Sequence, residues 1–536
     1  MAYRRARIMV LAAASVAAVF APIGLSSARA DELVDLRANN DLLQQRLDQI
    51  AQTQSMGPTR MGSTDVQAMT ARATAGSFAR SFLIPGTDTS IRIGGQISEV
   101  ADYYFEGGPA NNSPQNTTVG ANGQVQNISG TLQRARGSNI FLTSPRESKF
   151  GIETRTPTPY GEVRTFMEFD WAGSTQFAPG SVNPTSVSDN LVPRPKYLYG
   201  TLGNWLVGQA NSNFSDSDAN GETLDFGGNV GEPGVVRIPQ IRYSIPLSFT
   251  EGAILSFSAE TPETDIGTPG GIISSDGASS TLNAGPGLPG QLGGVCTGVT
   301  VAGTGCSAGN PTLMANPTKA GAPDLTASLY IPQPWGHVDV SLVLRPDLVL
   351  SDGAFLSRTF IGYGGHVGFD LTPGWFTPKD DIIFQIVAGD GIGRYLNSNS
   401  NFAIATNFLT TTRCVTGCAA NAAGDITAAS LIAAKTTTEW GGEIGYQHWW
   451  NDELRSNVNF GINHHDIPAA TIGPAAVGGA NHRLETLHVN LIWNPVAFVD
   501  VGIEYFWGNR QVVAVSPGAP PDVSMQGLIS KVAVRF

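Results

Sequence analysis

Three local groupings are the first places to look for chemistry in this chain. His464-His465-Asp466 joins two imidazoles to a carboxylate, a donor set suited to a metal ion or to acid–base work. It falls where an alternating segment runs into a loop, so solvated loop histidines are the plainer reading. Gly389-Asp390-Gly391-Ile392-Gly393 carries spaced glycines, but no helix pattern follows to make it a phosphate cradle. Cys296 with Cys306, and Cys414 with Cys418, form two close pairs in segments rich in Gly, Ala, Thr and Asn. In an exported protein such pairs read as loop-stapling disulfides; zinc is the alternative, with no histidine nearby. A nucleophile elbow, a zinc-binding helix motif and a phosphate loop are all missing from interpretable context. The expectation is a protein that is not an enzyme and carries no cofactor and no metal.

The fourth kind of chemistry is electrostatic and is spread over the whole chain. Val163, Thr165, Met167, Phe169 and Trp171 alternate with Glu162, Arg164, Phe166, Glu168 and Asp170. One face wants hydrocarbon and the other tolerates charge, which is the period-two mark of a half-buried strand. Extending that parity puts Arg92, Lys149, Arg155, Arg164, Arg242, Arg358, Arg455, Lys531 and Arg535 on one inner face. Glu153, Glu162, Glu168, Asp170, Asp339, Asp370, Asp500 and Glu504 join them there. Arginines facing carboxylates across a lumen would set up a transverse field; the plain alternative is that each group solvates the wall or pairs with its neighbour. A basic cluster at a constriction favours anionic solutes whatever the net charge.

The elements that position these groups start after an export signal. Arg4, Arg5 and Arg7 precede an apolar run that closes on Ala28-Arg29-Ala30, so residues 1–30 read as a signal peptide. Removing its four arginines leaves 28 basic against 44 acidic residues, a net charge of −16 that excludes a nucleic-acid partner. No later run reaches the ~20 apolar residues of a membrane helix. Residues 31–54 carry a heptad seam, with Leu33, Asn40 and Leu47 at a and Leu36, Leu43 and Ile50 at d. That spacing predicts a short coiled coil, with Asn40 fixing register; a lone amphipathic helix packed on the body is the alternative. Residues 55–89 form a linker and the entry to the body, and residues 90–536 are the strand-rich body.

About sixteen strands fit residues 90–536: 90–105, 139–155, 161–171, 194–201, 204–211, 237–245, 252–260 and 323–331 in the first half. The second half gives 336–344, 358–371, 380–389, 435–447, 453–465, 482–493, 498–507 and 526–536. Links after even strands are short and nearly all links after odd strands are long, the asymmetry of a transmembrane β-barrel. An even count puts both chain ends, and therefore the coiled coil, on the short-turn, periplasmic side. Val532, Val534 and Phe536 alternate onto a C-terminal phenylalanine, similar to the signal read by the outer-membrane barrel-assembly machinery. Tyr103, Tyr104, Trp171, Trp205, Trp335, Trp375, Trp449, Trp450 and Trp507 suit aromatic girdles at the two lipid interfaces. A barrel of this size leaves an aqueous lumen, which implies passage of small polar solutes.

Several segments carry a family resemblance. They are Phe82-Leu83-Ile84-Pro85-Gly86-Thr87-Asp88-Thr89-Ser90-Ile91-Arg92-Ile93-Gly94-Gly95, Ser148-Lys149-Phe150-Gly151-Ile152 and Tyr160-Gly161-Glu162-Val163-Arg164-Thr165-Phe166. Two more are Tyr199-Gly200-Thr201-Leu202-Gly203-Asn204-Trp205-Leu206-Val207-Gly208-Gln209 and Ala388-Gly389-Asp390-Gly391-Ile392-Gly393-Arg394-Tyr395. On these the chain resembles the DcaP-type trimeric porins, over about residues 31–536. The resemblance implies a homotrimer in the outer membrane of a Gram-negative cell, surrounded by outer-membrane lipid, taking up small anions such as dicarboxylates. It adds Arg394 to Arg92, Lys149 and Arg164 as cations that could face solute. The competing function is a surface adhesin or receptor that binds through its long loops, the tract 261–322 above all, with the barrel as anchor.

Overall fold

The computed structural model describes residues 75–107, 139–172, 192–233, 236–263, 265–267, 272–274, 279–280, 321–351, 357–374, 377–396, 402–410, 431–472, 480–513 and 522–536. The expected signal peptide (1–30), coiled-coil helix (31–54), linker 55–74 and all four cysteines lie outside the described residues. The described residues form a closed antiparallel β-barrel of sixteen strands. In the first half these are β1 (Ser90–Glu106), β2 (Ile140–Ser144 and Lys149–Thr158), β3 (Gly161–Asp170), β4 (Arg194–Leu202), β5 (Trp205–Asn211), β6 (Arg237–Leu247), β7 (Ala253–Glu260) and β8 (Asp324–Gln333). The second half comprises β9 (Gly336–Ser351), β10 (Ser357–Leu371), β11 (Asp381–Asp390), β12 (Thr438–Trp449), β13 (Leu454–Asp466), β14 (Ala480–Val496), β15 (Val499–Val513) and β16 (Asp522–Arg535).

Each strand pairs with its sequence neighbours, and β16 returns to β1 from Gln96↔Arg535 to Glu106↔Gln526. Phe536 completes the seam: its N–H donates to the Gly95 carbonyl and its own carbonyl accepts from Gly95, both at 3.1 Å. Closure leaves no edge strand, the condition for a sheet to sit in hydrocarbon. Two-residue turns such as Pro159-Tyr160, Gly203-Asn204, Pro334-Trp335 and Ala497-Phe498 sit on one rim. The long links leave the other.

Burial is inverted relative to a water-soluble protein. Along β9, Val340, Leu342 and Leu344 are exposed while Asp339, Ser341 and Arg345 are buried. Buried Asn457, Asn459, Thr486, His488, Asn490 and Glu504 line the inside of β13 to β15, and Val458, Val489, Leu491 and Ile503 face out. Apolar outside and polar inside fits a strand with lipid on one face and water on the other. Exposed Tyr160, Trp205, Phe249, Trp450, Trp493 and Phe498 ring the short-turn rim as an aromatic girdle.

Two expectations need correction. Residues 139–155 were expected as one strand, but Pro145–Ser148 interrupts it. Proline has no N–H to give the ladder. The freed Ser148 hydroxyl bonds Ser98, and Glu147 pairs with Lys531. Tyr104 does not join the girdle: it points inward, fully buried, with its ring 5.4 Å from Phe506 in an edge-on contact. Its place is even-numbered on β1, the inward set.

The long links after β7 and β11 meet. Ile266–Gly267, Ile272–Ser274, Ser279–Ser280, Ile404–Thr410 and Leu431–Thr436 form a second, smaller sheet. Arg345, fully buried, ties both links to the wall through Asp265, Asp324 and the carbonyls of Gly391 and Ile392.

The outward parity is testable at mid-strand. Leu342→Arg is expected to lower stability by about 2–4 kcal/mol in urea unfolding from liposomes, the cost of a cation at the bilayer midplane. A loss below about 1 kcal/mol would place Leu342 off the lipid face.

Candidate functional site

The lumen has two unlike walls, and the connection between β5 and β6 makes them so. Residues 212–233 fold inward and lie along the inside of β9 to β15. Ser341 donates to the Phe214 carbonyl (2.7 Å), His337 bonds Asp216 (2.7 Å) and Gln385 donates to the Ala219 carbonyl (2.8 Å). Glu222 is the main anchor. Its carboxylate takes Arg455 at 2.5 and 2.7 Å and Gln447 at 2.8 Å, and its carbonyl accepts from Asn459 and Asn490. Farther along, Glu504 accepts from the Leu224 N–H (2.8 Å), Glu443 from Asn229 (2.9 Å) and Thr486 from the Val230 N–H (3.1 Å). Many of the polar groups inside these strands therefore hold the loop.

Backbone meets backbone where Gly231 and Gly461 face the contact. Gly231 has φ +87°, and a Cβ there would overlap the Ile462 carbonyl oxygen. A Cβ on Gly461 would overlap the Val230 carbonyl. Glycine is the residue that permits both.

The opposite wall, β1 to β6, keeps its cations toward the lumen. Arg92, Arg155 and Arg164 all bond the one carboxylate of Glu153, at 2.5, 2.8 and 2.8 Å. Glu153 is 1% exposed while its three arginines are 20–36% exposed. Arg194 covers the buried Asp170 in the same way (2.5 Å), and Lys149 and Lys196 approach Glu168 at 3.8 and 3.4 Å. Arg242 hydrogen-bonds Gln240 and the Asn211 carbonyl. Glu162 at the turn end lies 3.7 Å from Arg155. Glu153 and Asp170 lie beneath their arginines, so water beside these pairs meets positive charge. Phe166, Tyr197 and Tyr199 stand among them with ring centroids 5.7–6.5 Å apart. The loop reaches this wall where Arg194 lies 5.5 Å from the Phe226 ring, and where Leu224 and Val230 join Val100 and Tyr104 of β1 in one buried cluster. At the short-turn mouth, Phe78 tucks beneath Arg155 and Arg92, at 4.5 and 5.6 Å.

Among the residues named from sequence, Arg92, Lys149, Arg155, Arg164, Glu162, Glu168, Asp170 and Arg242 share this wall. Arg455 lies across the lumen beneath the loop, paired with Glu222. Lys531 is held by Glu147 and Arg535 by Asp500. Arg358 is exposed near the long-link end of β10. Val532, Val534 and Phe536 are exposed on the outer face. Arg394 is a correction: it sits in a short turn after β11, bonded to Glu263 (2.8 Å) and Asp324 (3.3 Å) with little exposure. Burial raises the Glu263 carboxyl despite that arginine. Arg194 and Lys196 were missed because Pro195 and the register shift beside it break the alternation. Glu222 carried no periodic signal at all.

A family model described as Porin subfamily matches residues 78–446. The chain belongs to that porin family. It is an outer-membrane porin. Among solved structures, the outer membrane channel DcaP of Acinetobacter baumannii is similar at 19% identity and TM-score 0.55, over 85% of this chain and 99% of that one. The likeness shows the fold. An anion-selective porin from Comamonas acidovorans (9%, TM-score 0.42, 84% and 100% covered) and OmpT of Vibrio cholerae (7%, TM-score 0.42, 85% and 100%) are more distant. No curated protein matches the chain.

Seating of the porin's inner loop depends on Gly231. Gly231→Ala is expected to leave the barrel folded but to make open-channel current noisy and its conductance heterogeneous in planar bilayers. A quiet single-level channel would show that the loop does not need this contact.

Proposed function

We propose that this porin passes small hydrophilic solutes by diffusion and prefers small anions, dicarboxylates among them. The observation that carries the reading is the stacking of charge on β1 to β6: buried Glu153 and Asp170 beneath partly exposed Arg92, Arg155, Arg164 and Arg194. A low-dielectric wall focuses that field into the lumen and concentrates anions there, although the whole chain is acidic. The inner loop supports the same reading. By covering many polar groups of β9 to β15, it leaves the cationic wall as the more open surface. Two carboxylates on a short spacer match two arginine sites on neighbouring strands, where planar bidentate donors recognise them.

The assembled state belongs to the same proposal. Export by residues 1–30, recognition of Val532, Val534 and Phe536 by the barrel-assembly machinery, and trimerisation aided by residues 31–54 rest on the sequence and on the resemblance to DcaP-type porins. Disulfides Cys296–Cys306 and Cys414–Cys418 would staple the long links.

Reversal potential across a potassium chloride gradient tests the selectivity. The native channel is expected to favour chloride, and Arg92→Ala with Arg164→Ala to shift the potential toward cation preference. Unchanged potential would remove β1 to β6 from selectivity. Deleting residues 31–54 is expected to leave conductance intact and to lower the recovery of trimers; a silent truncated channel would contradict an assembly role.

A further inference from the structure

One cluster stands outside the lumen. His464 and Asp466 close β13, and His482 opens β14 at a register shift between Asn481 and Arg483. One ligand atom from each of the three lies within 4.8 Å of the other two. By alternation His464 belongs with the outward Val458, and its ladder partners are Trp440 and Arg483. The cluster is thus on the barrel's outer surface at the long-link rim, where Asp466 is largely exposed.

We propose that His464, Asp466 and His482 form a binding site for a borderline first-row divalent ion such as zinc. Three observations lead there. First, His482 Nδ1 lies 3.0 Å from the His465 carbonyl. A carbonyl only accepts, so Nδ1 carries the proton and Nε2 presents its lone pair. A backbone carbonyl fixing the tautomer is the usual outer support of a metal-bound histidine. Second, Trp440 stacks on the His464 ring at 5.4 Å and 25°, while the two imidazoles meet at 4.4 Å and 62°. The rings converge and are held. Third, His464 Nε2 and Asp466 Oδ1 are 3.5 Å apart, too long for a good hydrogen bond. Two donors about 2.1 Å from a tetrahedral ion stand roughly 3.4 Å apart.

The nearest cation, Arg483, is paired with Glu485, so the donor set keeps one net negative charge. Two imidazoles and a carboxylate suit zinc, nickel or copper, whereas calcium and magnesium want oxygen ligands. Three protein donors leave a fourth position for water.

Zinc chloride titrated calorimetrically into the metal-free full-length porin, oxidised and in detergent, tests the site. One zinc per chain is expected. His464→Ala and His482→Ala are each expected to lose saturable binding while conducting as the native channel does, which shows that they folded. Excess calcium chloride is expected to leave the isotherm in place. No saturable uptake by the native chain, equal uptake in both variants, or displacement by calcium would overturn the proposal. So would zinc uptake that alkylation of cysteine abolishes and histidine replacement does not.

Discussion

In hydrocarbon an unpaired backbone N–H or C=O costs several kcal/mol, so a membrane sheet is stable only if it has no edge. The ladder from Gln96↔Arg535 to Glu106↔Gln526 meets that constraint, with Phe536 adding the last bonds to Gly95. Everything else is arranged around the closed cylinder. Period-two alternation follows at once, because each strand has lipid on one side and an enclosed space on the other. The same alternation gives the apolar outside, with Leu342 and Ile503 exposed, and the polar inside, with Ser341 and Glu504 buried.

A cylinder of sixteen strands is too wide for side chains alone to fill. The chain narrows it with backbone, sending residues 212–233 across to β9 to β15. Glu222 carries much of this seating through Arg455, Gln447, Asn459 and Asn490, and glycine contacts bring the two backbones together. The consequence is electrostatic. One wall loses its polar groups to the loop and the other keeps arginines poised above buried acids. Function in this porin therefore comes from what the loop covers as much as from what it leaves open.

The fold was legible because alternation is strict. All sixteen strand positions follow from it, and the turn asymmetry follows from their spacing. It failed where alternation is broken by local chemistry: at Pro145, which interrupts β2, and at Pro195, where a register shift hid Arg194 and Lys196. The inner face of β1 to β6 was legible for the same reason, since parity alone places Arg92, Arg155 and Arg164 together. Glu222 and Asp216 were not, because a loop has no period and its partners lie more than a hundred residues away in sequence. Arg394 shows the opposite failure. A motif position suggested a cation facing solute, yet its side chain is bonded to Glu263 and Asp324 and lies against the Tyr395 ring. His464-His465-Asp466 read as a solvated run. Its third member for an ion is His482 on the neighbouring strand, which only the barrel's pairing brings near.

Thiol accessibility tests the two-wall lumen most directly. With the four native cysteines replaced by serine, single cysteines are placed at Arg164 and at Asn459 and exposed to an anionic thiosulfonate during bilayer recording. Reaction at position 164 with a drop in current, and silence at position 459 beneath the loop, is the result this account predicts. Rapid block at 459 with no reaction at 164 would contradict it, because the open path would then run along the wall that the loop is held to cover.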